Sequence, residues 1–157
     1  MGLLLIDNEY LPHLKALIET AKSNIDISTF KAEMTHKPRG TALYNFWLQI
    51  IEKLKQGIKV RLLLNWHADR RSVAKTNLYV MQQMKQRGAD VRFLRNNRCC
   101  HAKFVIVDRK KAIIGSHNLS VRSCHNNFEI SYILEDQQAI ERLQSVFEHS
   151  FYDAQKY

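Results

Sequence analysis

The stretch that most constrains this chain is residues 59–65, KVRLLLN. Successive side chains of a strand point to opposite faces, so the run Leu62-Leu63-Leu64 places apolar groups on both. Such a strand is stable only inside a sheet covered on both sides. Helical patterns stand before and after it. Over Thr41–Gln56, Leu43, Phe46, Trp47, Ile50, Ile51 and Leu54 recur at helical spacing, and Gly57 ends the run. After the polar, basic stretch WHADRRSVAK, a third helix is predicted from about Asn77 to Arg87, stopping at Gly88. Asn8–Ser23 is predicted as the first helix, with Leu11, Leu14, Ile18 and Ala21 on one face. Asp136–Phe151 is the closing helix, with Ile140, Leu143, Val146 and Phe147 inward. Strands are predicted at Ile25–Phe30, Asp90–Leu94, residues 101–107, 112–114 and Phe128–Leu134, and a loop at residues 32–40. Helices alternating with strands predict an α/β fold, a mixed sheet flanked by helices on both faces. The chain of 157 residues is one domain's length, read as a single domain over residues 1–157.

Charge is distributed unevenly. Residues 61–125 carry 14 Lys+Arg against three acids, a net of +11, while the remainder nets −2, giving the total of +9. A basic middle points to a polyanionic partner, either nucleic acid or an anionic membrane. No apolar run approaches the ~20 residues that span a bilayer. The start, MGLLLID, lacks the basic flank of a signal peptide, so the expected location is cytoplasmic. Cys99, Cys100 and Cys124 have no metal-site spacing and read as buried or incidental thiols.

Functional interest centres on residues 101–118, HAKFVIVDRKKAIIGSHN. As one strand, residues 101–107 place His101 and Lys103 on a common face, with Asp108 on the other. A symmetric hairpin would pair Val107 with Ala112, Lys103 with Ser116 and His101 with Asn118. Opposed β-carbons lie about 5 Å apart, so one patch would collect an imidazole, an ammonium, a hydroxyl and an amide. The last three can donate to an oxyanion, and the histidine can attack or transfer protons near neutral pH. No second carboxylate or histidine of the hairpin shares the face, so no metal or other cofactor is expected.

The pattern His101-x-Lys103-x4-Asp108-x6-Gly115-Ser116-x-Asn118 resembles the complete HKD motif of the phospholipase D superfamily. AKSNIDISTF, KQGIKVRLLL and NNFEISYIL follow the order expected for its small, single-motif nuclease branch. The resemblance implies a phospholipase D-like fold and assigns roles. His101 would be the nucleophile that becomes a phosphohistidine. Lys103 and Asn118 would hold phosphoryl oxygens beside Ser116, and Glu129 would orient the histidine. Asp108, with Gly115, would be structural. His117 falls at a variable position, and Cys124 and His125 receive no role.

The motif occurs once. His13-Leu14-Lys15 repeats the spacing, but Thr20 stands where its aspartate belongs. In-line displacement needs a nucleophile on one side of phosphorus and an acid on the other. The resemblance therefore implies a two-fold homodimer in which both His101 side chains face one phosphate. The basic segment favours a nucleic-acid substrate, DNA or RNA, contacted by Arg70, Arg71, Lys75, Arg95, Arg98 and Arg122. The alternative is a phospholipid headgroup diester of the cardiolipin type. Trp66 is the only aromatic placed to serve an apolar lipid entry, and the loop after it is basic.

Overall fold

The strand with three consecutive leucines lies inside an eight-stranded sheet, flanked by a parallel neighbour on each side. The computed structural model describes residues 2–66, 71–94 and 98–156. In chain order the elements are β1 (Leu3–Ile6), α1 (Tyr10–Glu19), β2 (Asn24–Thr29), α2 (Thr41–Lys55), β3 (Lys59–Asn65), α3 (Arg71–Lys85), β4 (Asp90–Leu94), β5 (Lys103–Val107), β6 (Lys111–Gly115), α4 (Val121–His125), β7 (Ile130–Leu134), α5 (Gln137–Asp153) and β8 (Gln155–Lys156). The sheet order is β1-β7-β6-β5-β2-β3-β4-β8. β2, β3 and β4 run parallel, linked through α2 and α3, because a parallel pair needs a long crossover. The other pairs are antiparallel, so the sheet is mixed.

Helices cover both faces, as the leucine run requires. Leu62 and Leu64 pack with α1, α2 and α3 in a core that includes Leu14, Phe46, Trp47 and Met84. Leu63 points to the opposite face, where Phe104, Ile106 and Ala112 meet Ile140, Phe147 and Phe151 of α5. A buried salt bridge pins this second layer. Arg61 grips Asp26 through two bonds of 2.7 Å, and Gln144 of α5 donates to the same carboxylate at 2.9 Å.

Several expectations are corrected. α3 begins at Arg71, six residues before the predicted start, because its first turns are polar and carry no apolar period. β1, α4 and β8 are not predicted from the sequence; each is too short to show a pattern. Strand β5 starts at Lys103, so His101 and Ala102 precede it. On α5, Val146 is exposed and Gln144 takes the buried position instead.

The hairpin register is also corrected. Val107 pairs with Lys111 and Lys103 with Gly115, one residue away from the symmetric expectation. The connection is three residues long because Asp108 and Arg109 both adopt left-handed backbone, with φ of 52° and 57°. The Lys110 N–H then closes the turn on the Val107 carbonyl at 3.0 Å. Lys103 thus faces Gly115, the one residue here without a side chain. A Cβ on Gly115 would lie 2.4 Å from the Ile130 carbonyl of β7, so no larger residue fits.

Candidate active site

Four chain segments meet at one edge of the sheet: the end of β2, the approach to β5, the residues after β6 and the approach to β7. The polar residues therefore converge beyond the strand ends, not across one face of the hairpin. His101 is exposed there, its ring 5.3 Å from that of Phe30. Lys103 is buried, and its Nζ lies 2.9 Å from Nδ1 of His101. It also donates to the His101 carbonyl and sits 5.8 Å above the Phe30 ring. Burial lowers the lysine pKa, against the opposing pull of the Glu129 charge. As an ammonium, Lys103 can only donate, so in this arrangement Nδ1 accepts and the ring proton sits on Nε2.

Asn118 is oriented by backbone. Its Oδ1 accepts from the Lys31 N–H at 3.1 Å and from the Thr29 hydroxyl at 3.4 Å. With that oxygen committed, the amide offers only N–H donors to a ligand. Glu129 is nearly enclosed, and its carboxylate accepts from Ser116, from Ser123 at 2.7 Å and from Asn127 at 2.9 Å. Burial pushes this carboxyl up, but the bonds from Ser116, Asn127 and Ser123 outweigh it and hold the pKa below the usual range. The resemblance assigns Glu129 to orient the His101 ring. In this single chain its hydrogen bonds go to Ser116, Ser123 and Asn127, and Lys103 occupies Nδ1 instead.

Asp108 lies at the opposite end of β5. Its carboxylate accepts from the N–H groups of Lys22 and Ser23 at 2.8 Å and of Asn24 at 2.9 Å, and from the Ser23 hydroxyl at 2.8 Å. These bonds, led by that of Asn24, override the upward push of burial and keep its pKa below the ordinary value. The third letter of the motif ties the hairpin turn to the start of β2.

Sequence reasoning left His117 without a role, but the fold uses it. It is buried and stacks on Tyr10 with centroids 4.3 Å apart. Its Nδ1 meets the Ser131 hydroxyl at 2.8 Å and its Nε2 the Asp7 carbonyl at 2.9 Å. Asp7 in turn accepts the Glu129 N–H at 2.8 Å. The turn after β1 thereby braces both Ser116–Asn118 and Glu129. Asp7 and Glu129 lie 122 residues apart, so no local pattern shows the contact.

The basic residues divide. Arg98 and Lys75 are exposed, and Arg122 donates to Asn127 at 3.1 Å, which joins it to the Glu129 cluster. Arg71 opens α3. Arg70 and Arg95 lie outside the described residues. Arg61, Arg92, Arg109 and Lys111 pair with acids, so the surface around the site is less basic than the segment's formal charge. Trp66 packs against Phe93 at 5.2 Å, partly buried at the core and not deployed as an apolar anchor.

A family model described as "Cardiolipin synthase, PLD-like domain" matches residues 14–151. The chain belongs to this phospholipase D-like family. A cardiolipin synthase of Oceanobacillus iheyensis is 34% identical over 92 residues, which are 59% of this chain and 19% of that protein. The chain thus spans about a fifth of the length of that curated relative. Two solved structures match end to end. Nuc from Salmonella typhimurium, described as a phospholipase D family member, superposes with a TM-score of 0.81 at 15% identity, covering 100% of this chain and 99% of that one. NucT from Helicobacter pylori gives 0.78 at 16% identity with the same coverage. At these identities the structural matches establish the fold, and the aligned architecture is the small phospholipase D-like domain by itself.

Proposed function

We propose that this domain is a metal-independent phosphodiesterase that cleaves nucleic-acid phosphodiester bonds through a phosphohistidine, at a site shared by two copies of the chain. The observation that carries the reading is the convergence of His101, Lys103, Asn118 and the Ser116–Glu129 pair at one sheet edge. A ring nitrogen of His101 attacks phosphorus, and the bond from phosphorus to the leaving oxygen breaks. Lys103 and the Asn118 amide hold the non-bridging oxygens, whose negative charge draws the ammonium off the ring. The leaving oxygen takes a proton from His101 of the second copy. Water then attacks the phosphohistidine, its proton returns to that second histidine, and the phosphorus–nitrogen bond breaks.

Support for the second copy lies beside the site. α5 covers β3, β5 and the Ala112–Leu134 end of β6 and β7, but leaves the Ile114, Ile130 and Tyr132 end of those strands and the same face of β1 open. Leu4, Ile6, Ile114, Ile130 and Tyr132 are exposed there, and Phe128, next to Glu129, is 79% exposed. An apolar band of this kind fits a protein interface. Because it borders the catalytic edge, a two-fold contact through it would bring two such edges together.

A second reading is transfer or hydrolysis at a phospholipid headgroup, favoured by the 34% identity to a cardiolipin synthase. The inward packing of Trp66 and the exposed Arg98 and Lys75 weigh toward nucleic acid. The test is incubation of the purified protein in EDTA with labelled DNA, labelled RNA and phosphatidylglycerol vesicles. Cleavage of nucleic acid alone supports the nuclease. Cardiolipin or phosphatidic acid from the vesicles, with nucleic acid intact, replaces it with the lipid enzyme.

A further inference from the structure

We infer that the cleft next to Asn118 is a nucleobase pocket and that the substrate strand is single; this rests on the nuclease reading above. The cleft has a volume of about 560 Å³. Its apolar wall is formed by Met34, Tyr79 and Val121, and Lys37, Arg39 and Lys75 line it as well. Glu33 also lines it, but its charge is spent locally. One oxygen meets Lys31 Nζ at 2.6 Å and the other accepts the Val121 N–H at 2.9 Å. Lys37, Arg39 and Lys75 have no acidic partner among the described residues, so the pocket presents net positive charge around an apolar, aromatic interior.

The segments that build this cleft also build the catalytic edge. The Lys31 N–H donates to Asn118, the Glu33 N–H donates to the Leu119 carbonyl at 2.8 Å, and Ala32 bridges Leu119. Asn118 and Val121 are three positions apart, which limits their separation to about 11 Å. An extended strand covers that distance in one or two nucleotides. A nucleotide flanking the scissile phosphate is therefore within reach of the cleft that Val121 and Tyr79 both line, and Tyr79, 43% exposed, is able to stack on a base. A basic groove interrupted by a stacking aromatic is how proteins hold single strands, whose bases can turn out of line. In a duplex the same base is paired, and the pocket would stay empty. A lipid acyl chain would also find the apolar wall, but three cations around it favour a ligand that alternates charge with flat apolar surface.

The test compares the Tyr79→Ala, Tyr79→Phe and Lys75→Gln variants with the wild type. The substrates are a labelled single-stranded oligonucleotide, its blunt duplex and bis(p-nitrophenyl) phosphate. For Tyr79→Ala the ratio of kcat/KM on the single strand to that on the small diester is expected to fall about ten-fold, the typical weight of one base–aromatic stack. Tyr79→Phe should keep the ratio, since the ring is retained. Lys75→Gln should lower it less and make it less sensitive to salt. The duplex-to-small-diester ratio should not change with Tyr79. An unchanged single-strand ratio overturns the pocket while leaving the nuclease reading standing. An equal loss on both nucleic acids also overturns it. Turnover of phosphatidylglycerol vesicles, lost with Tyr79→Ala while no variant or wild type cleaves nucleic acid, would refute both readings and assign the cleft to an acyl chain.

Discussion

Replacing Asp108 should damage the fold far more than the chemistry, and the structure gives the size of the effect. The carboxylate accepts four hydrogen bonds, three from backbone N–H groups of residues 22–24 and one from the Ser23 hydroxyl. A bond to a charged acceptor is worth about 1.5–3 kcal/mol when shielded, but this side chain is only half-buried and water competes, so about 0.5–1 kcal/mol each is the appropriate scale. Asp108→Gly should therefore cost about 2–4 kcal/mol. Asp108→Ala should cost about 1 kcal/mol more, because φ is 52° and only glycine and short polar residues tolerate left-handed backbone easily. Asp108→Asn keeps that tolerance. Its one oxygen can serve the three donors now bonded to Oδ1, so it should lose about 1–2 kcal/mol, through the Lys22 contact and the charge. The folded pKa of Asp108 is depressed relative to an unfolded value of about 3.9. Its contribution is therefore complete above about pH 4 and disappears as pH falls through the folded pKa. Urea melts of the variants at neutral pH and in steps below pH 5 measure this directly. The gap between wild type and Asp108→Asn should narrow in acid. A cost under about 0.5 kcal/mol for Asp108→Gly, or a gap for Asp108→Asn that widens in acid, would refute the anchoring role.

Three further outcomes are expected. His101→Ala should abolish turnover while leaving the fold and oligonucleotide binding intact, and turnover by the wild type should survive EDTA; residual activity above about a tenth would place the nucleophile elsewhere, since losing nucleophile and acid together removes far more than the ~10²-fold of one proton-transfer group. Affinity for a single-stranded oligonucleotide should fall with salt at a slope of about −0.7 per neutralised phosphate, and charge reversal at Arg98 or Arg122 should weaken all sequences alike; a flat salt response in filter binding would count against phosphate contacts. When wild type and His101→Ala are mixed in equal amounts and allowed to exchange, activity per dimer should drop to about a quarter for a shared centre, against about a half for two independent ones.

The sequence displayed the parts of the site that obey a local rule and hid those that do not. Leu62-Leu63-Leu64 announced a doubly covered strand because burial on both faces leaves no polar alternation, and β3 occupies residues 59–65 as expected. The motif spacing named His101, Lys103, Ser116 and Asn118, which do gather at one edge. Their register differs by one residue from the symmetric hairpin, because a turn with two left-handed non-glycine residues leaves no glycine or asparagine as a marker. The first turns of α3 are hydrophilic and show no apolar period, so the sequence pattern begins only at Asn77, and those turns carry Lys75. Asn77 of the same helix is fully buried, where it donates to the carbonyls of Phe30 and Asn65 and accepts from the Ala32 N–H. A buried asparagine that ties two loops together looks, in sequence, like any exposed polar residue on a helix. The bracing of Glu129 and His117 by Asp7 was invisible for a different reason, since its partners come from opposite ends of the chain.

The contact between Lys103 and His101 bears on why a single copy of the motif would be insufficient. With the ammonium on Nδ1, the ring proton is confined to Nε2, and the histidine has no bare nitrogen with which to attack. A phosphate that recruits the ammonium removes this block, so the substrate itself would arm the nucleophile. A second histidine across the phosphate would protonate the leaving oxygen as an imidazolium, protonated on both ring nitrogens, which requires that its own lysine contact be broken as well. The two copies would then differ in role although their sequences are identical, the difference being set by which ring carries the second proton. The groups around Glu129 fit this division. Its three hydrogen bonds keep it ionised, so its field favours retaining the positive charge on buried Lys103 despite the pull of desolvation. Glu129 would then act on the histidine through the lysine, holding a cation where phosphate needs one and releasing the ring only when the anion arrives.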